Sequence, residues 1–166
     1  EHRFNGELQS HGYQVAIGTL TMCAVFDELF KLDLTQLDVE ACVEVWPTLE
    51  QEQARALDVF KGFPAPKLGY NEITKKCGDR EAVRAELTRL KSEWPELKAK
   101  LQGQMYSFTK MQDLFRRAGA PYDPSHIGLT RCQLKDMFPF VQLMRFRYNV
   151  LDLAKRGGFY DQIVEP

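Results

Sequence analysis

The chain has 166 residues, 44% hydrophobic and 27% charged, with a formal net charge of −1. That length and composition suit one globular domain with a real core, and the charge balance offers no basic field for nucleic acid or an anionic membrane surface. The longest apolar stretch, residues 15–30, is broken by Thr19, Thr21, Asp27 and Glu28, so it is too short and polar to span a bilayer, and it lacks the basic start and small-residue cleavage site of a secretory leader.

The elements are almost all helical. Ser10 can cap a helix over residues 11–31, whose apolar positions (Val15, Ile17, Leu20, Met22, Val25, Phe26, Leu29, Phe30) surround much of the cylinder. This pattern predicts a helix buried among others. Gly12 and Gly18 inside it cost about 1 kcal/mol each relative to alanine, which predicts a close approach of something to the backbone there. A second helix is expected over residues 36–45, ending before Trp46-Pro47. Thr48 with Gln51 forms a capping box for residues 49–60, followed by a rigid loop over 62–66 and a short helix near 71–76.

Asp79 caps a helix to about Lys91, and Pro95 is expected to interrupt or restart it. Leu97, Leu101 and Met105 continue at helical spacing. Ser107 caps the next helix, with Phe108, Met111, Leu114 and Phe115 inward, Arg116 and Arg117 at its C-terminal end, and Gly119 and Pro121 stopping it. Thr130 with Gln133 is a second capping box. After Pro139 a last long helix is expected to run to about Arg156, where Gly157-Gly158 ends it. The fold class is therefore an all-α multi-helix bundle. No repeat, low-complexity tract or internal boundary is visible, so residues 1–166 read as a single helical domain. The opening Glu1 and its polar surroundings suggest a piece cut from a longer protein.

Four cysteines stand at positions 23, 42, 77 and 132 without a CxxC pair. They read as reduced thiols of a cytoplasmic protein, ahead of a disulfide or a cysteine metal site. His11 lies in the first turn of the first helix, where the dipole disfavours imidazolium and so favours the neutral form a metal needs. Gly12 leaves room beside it. The competing reading is a surface or capping histidine. His2 and His126 add no ligand pair at helical spacing. Arg147 falls on the apolar stripe Phe140, Leu143, Met144, Leu151, Ala154, where it needs an anion. The partner is a substrate phosphate held bidentately, or else a carboxylate such as Asp152 or an acid of another helix, unless the side chain simply snorkels to solvent. Tyr148 and Asp152, four apart, read as a structural pair on one helix face.

Residues 10–19, SHGYQVAIGT, resemble the SHGxxVxIGT segment of glycerol-1-phosphate dehydrogenases. Ala118-Gly119-Ala120-Pro121 with Ile127-Gly128-Leu129 resembles their later AGAP and IG segment, and Arg147-Tyr148-Asn149-Val150-Leu151-Asp152 looks like their RYTVLD helix with Asn149 for threonine. The segments follow the family's order and span most of the chain.

The resemblance implies the C-terminal helical domain of an oxidoreductase in the iron-type alcohol dehydrogenase and dehydroquinate synthase-like group. The parent would be a two-domain protein with an N-terminal Rossmann-like partner domain that binds NAD or NADP. It would interconvert glycerol 1-phosphate and dihydroxyacetone phosphate, and a divalent metal, usually zinc, would polarise the alcohol that loses hydride. His11 matches the family's later metal-ligand histidine, and the remaining ligands and the nucleotide-binding glycines belong upstream. The chain alone is then expected to be inactive and to retain neither metal nor nucleotide. Arg147 would meet the polyol-phosphate substrate, and no catalytic residue is assigned. Neither nucleic acid nor membrane insertion is expected, and an exposed apolar face favours self-association into a homo-oligomer. The alternatives are a dehydroquinate synthase-type lyase domain and a non-catalytic helical module that binds a partner.

Overall fold

A computed structural model of the chain describes residues 9–164. Its described residues are all-helical and contain no strand. The helices are α1 (His11–Leu29), α2 (Val39–Glu44), α3 (Leu49–Val59), α4 (Leu68–Lys76), α5 (Arg80–Gln104), α6 (Phe108–Arg117), α7 (Arg131–Lys135), α8 (Phe138–Leu143), α9 (Val150–Arg156) and α10 (Tyr160–Val164). Two 3-10 turns, Leu34–Gln36 and Pro124–Ile127, join them.

Most helix starts are set by side chains that take up orphan N–H groups. Ser10 Oγ accepts from Tyr13 N–H at 3.3 Å. Thr48 and Gln51 close a reciprocal capping box, with Thr48 N–H donating to Gln51 Oε1 at 2.8 Å. Thr130 and Gln133 do the same for α7. Asp79 accepts from Ala82 N–H at 2.8 Å, and Ser107 from Lys110 N–H at 3.3 Å.

Contacts divide the chain into two compact units, each discontinuous in sequence. One comprises Leu34–Trp94 and Met137–Asp161, and the other the residues up to Asp33, Pro95–Asp136 and those from Gln162. In the first unit, α4 packs on α3 and α8. Gly69 permits this approach: a Cβ there would lie 2.7 Å from Phe60 Cδ2. The core holds Ala56, Phe60, Ile73, Phe140 and Leu143. The rings of Phe60 and Phe63 meet Phe140 at centroid distances of 5.3 and 4.7 Å. Val83, Leu87, Leu90 and Trp94 form the buried stripe of α5 in this unit, and a side chain of this kind contributes about 1.5–3 kcal/mol on burial. In the other unit, α1 packs on α6 and on the Pro124–Ile127 turn, burying Ala16, Ile17, Leu20, Cys23, Val25 and Leu29. Asp27 accepts Phe108 N–H at 2.8 Å, which ties the start of α6 to α1.

Several sequence expectations are corrected. α5 runs unbroken through Pro95; proline removes one backbone donor, and the helix keeps its course. The last long helix is two short ones, α8 and α9, with a loop over residues 144–149. Asn149 caps α9 in a capping box with Asp152, so a new helix begins where a continuous one was expected. α1 is not covered all round, since Val15 is 50% exposed. Nothing among the described residues lies within 4 Å of a Cβ added at Gly12 or Gly18, so no close backbone approach explains those glycines here.

Candidate functional site

His11 is the first residue of α1 and is exposed. Its helix end is completed by Ser10, and the space beside Gly12 is open. Among the described residues no three His, Cys, Asp or Glu side chains converge on a metal position. A catalytic zinc takes three protein ligands, and no such set forms among the described residues. His2 lies outside the described residues. His126 belongs to a different cluster, with its ring edge-on to Tyr122 at 4.5 Å and its Nδ1 accepting Tyr122 N–H at 3.4 Å. Residues 10–19 and 118–129, two of the family-like segments, lie in the same unit, in which α1 packs on the Pro124–Ile127 turn.

Arg147 sits in the loop between α8 and α9, exposed, with no hydrogen-bond or ion-pair partner among the described residues. The inner-face position expected for it does not exist, because the helix that would create that face stops at Leu143. The carboxylates once available to it are engaged elsewhere. Asp152 pairs with Lys76, and Tyr148, expected to pair with Asp152, donates its hydroxyl to Glu86 instead.

Beneath this loop lies a buried polar network on α3, α4, α8 and α9. Lys76 Nζ and Asp152 Oδ1 are 2.8 Å apart, with both side chains at most 5% exposed. Lys76 also donates to the Gln142 carbonyl. Gln142 Nε2 donates to Asp152 Oδ1 at 2.9 Å, and Asn149 N–H donates to Asp152 Oδ2 at 3.0 Å. Arg55 Nη2 joins Gln142 Oε1 at 2.6 Å and Glu52 Oε2 at 3.0 Å, while Lys155 Nζ reaches both Glu52 oxygens at 2.5 Å. Alongside it, Arg156 pairs with Glu86, donates to the Lys76 carbonyl at 2.6 Å, and lies over the rings of Trp46 and Tyr148.

Charge explains how the network titrates. Burial pushes the Glu52 carboxyl up, but hydrogen bonds and charge from Arg55 and Lys155 outweigh it and hold Glu52 below the ordinary carboxylate value. Two cations share that one carboxylate, so burial and Arg55 together leave Lys155 below an ordinary lysine despite Glu52. Burial, then Glu52, pushes the Cys77 thiol up against the pull of Arg156, Lys155 and Arg55. Cys77 is thus a protonated thiol at neutral pH and a poor nucleophile. No described buried side-chain N or O atom lacks a partner. A network satisfied this fully rigidifies the helices it joins.

Sequence reading missed this network, though one of its members was visible: Glu52 stands four residues before Ala56 on the inward stripe of α3. Compared with protein-family models, curated proteins and solved structures, the chain matches none of them.

Proposed function

We propose that this chain is the helical, metal- and substrate-binding part of an NAD(P)-dependent polyol-phosphate oxidoreductase of the glycerol-1-phosphate dehydrogenase kind. It would work with a Rossmann-like nucleotide-binding domain, in the cytoplasm. The observation that carries the reading is His11, an exposed imidazole on the first turn of α1 with open space beside it. A further support is that two of the three family-like segments sit on elements packed together. Because no three described His, Cys, Asp or Glu side chains converge on a metal position, His11 would be part of a site completed from outside them.

Metal analysis of the intact protein tests this. His11→Ala removes an exposed side chain and leaves the helical content unchanged, yet the bound divalent metal should fall to a small fraction of the wild-type stoichiometry. Unchanged metal content in a folded variant would take His11 out of the ligand set.

A further inference from the structure

We propose that Arg55, Lys155 and Tyr160 form a binding site for a carboxylate, organised by the buried acid of Glu52. Glu52 and Arg55 are neighbours on one face of α3, Lys155 is on α9 and Tyr160 opens α10, all within one unit. Glu52 is 3% exposed. Arg55 Nη2 and Lys155 Nζ both donate to its Oε2, at 3.0 and 2.5 Å, so the two cations meet at a single oxygen. Each is held by further bonds. Arg55 also donates through Nε to the same carboxylate and through Nη2 to Gln142 Oε1 at 2.6 Å, and Lys155 donates to Glu52 Oε1 as well. Gln142 is fixed in turn by Asp152 and Lys76. Tyr160 stands within reach of the Arg55 charge: burial, the larger effect, pushes its hydroxyl up to about 12, and Arg55 opposes that rise.

Charge and donor count both point to an anion. Lys76 pairs with Asp152 and Arg156 with Glu86, one to one. Glu52 serves Arg55 and Lys155 together, so the network holds four cations and three carboxylates, and the surplus sits at Arg55 and Lys155. Asp161 acts on Tyr160 and not on Lys155. Arg55 Nη1, the third ammonium hydrogen of Lys155 and the Tyr160 hydroxyl have no partner among the described residues. Every described buried N or O atom has one, so the Arg55 and Tyr160 groups reach solvent, and the Lys155 side chain is 21% exposed. An anion arriving there meets cations already fixed and partly desolvated, where charge-assisted bonds are strong and little side-chain entropy remains to be lost. One surplus charge matches a monoanion. A carboxylate has two oxygens, able to take a guanidinium N–H and an ammonium N–H at once. Its charge also relieves Lys155, whose ammonium is disfavoured by burial and by Arg55. The site rests on neither His11 nor Arg147.

The test is an NMR chemical-shift titration of the chain with sodium acetate, beside sodium chloride at the same ionic strength. Acetate should shift the resonances of Arg55, Lys155 and Tyr160 and saturate with a Kd of about 10 mM or tighter, while chloride should not reproduce those shifts. Arg55→Gln and Lys155→Met each leave Glu52 one cation and remove the surplus, so each should weaken acetate binding about tenfold or more. Tyr160→Phe removes a solvent-reaching hydroxyl and no charge. It should keep the fold and weaken binding about threefold to tenfold, the scale of one hydrogen bond, so it decides the matter even if the charge variants unfold. Shifts that never saturate, equal shifts from chloride, or undiminished binding in any folded variant of the three would each overturn the proposal. A blocked peptide with a single glutamate separates the two sources of a carboxylate. Binding tighter than acetate supports the site as a seat for an acidic side chain of a partner, and binding no tighter supports it as a seat for a free organic acid.

Discussion

Lys76 and Asp152 show how much rests on single side chains in this chain. Both are nearly inaccessible, and together they hold Gln142 and Asn149. A buried pair of this kind adds little over a well-packed apolar pair, but removing one member strands the other charge. Lys76→Met should therefore cost about 3–5 kcal/mol in urea unfolding, and adding Asp152→Asn to it should cost less than the two single losses combined. Additive losses would show that the pair is not coupled. Glu52 is a buried contributor to the response to acid. Its carboxyl is held below the ordinary value of 4.5, so the stability it contributes is full above that value and is lost as the pH falls through the lowered one. The unfolding free energy should drop below about pH 4.5 and drop less steeply in Glu52→Gln; equal slopes in the two proteins would assign the acid response to other groups. Lys155 works against this gain, because a depressed lysine costs stability wherever it stays protonated.

At the scale of the helix, what could be read in the sequence is what is local. The caps Ser10, Thr48, Asp79, Ser107 and Thr130 all act over three residues, and all are found where their spacing predicts them. Asn149 with Asp152 was equally local, but a glutamate or glutamine is the usual third member of a capping box, and the apolar periodicity of residues 140–154 hid the break. Arg147 was misplaced for the same reason: periodicity assumes a continuous helix. The Lys76–Asp152 and Glu52–Lys155 contacts join residues 76 and 103 positions apart, a separation no local pattern encodes. Glycines divide on the same line, since only packing tells which are needed. Gly69→Ala should cost about 1–3 kcal/mol by overpacking against Phe60. Gly18→Ala meets open space and should raise stability by about 0.5–1 kcal/mol, the helix-propensity difference. Thermal melts of the two variants check both signs, and a destabilised Gly18→Ala would show that something does approach α1 closely.

The whole molecule divides where no linker marks it. The chain passes between its two units at residues 33/34, 94/95, 136/137 and 161/162, and the crossing at Trp94 and Pro95 lies inside continuous α5, so no glycine-rich or polar linker announces it. No described helix is long and apolar enough to cross a membrane, and all four cysteines are free. The functional reading needs more than these helices: one exposed imidazole, an arginine-bearing loop, and a nucleotide-binding domain to supply the hydride carrier. Nicotinamide turnover by the intact polypeptide measures that claim most directly. Loaded with divalent metal and given NADH or NADPH, it should oxidise the nicotinamide in the presence of dihydroxyacetone phosphate, and His11→Ala should lower the rate by at least about a hundredfold, the scale expected when a metal ligand is lost. An intact, metal-loaded protein that leaves the reduced nicotinamide untouched with every keto or polyol phosphate offered would contradict the account.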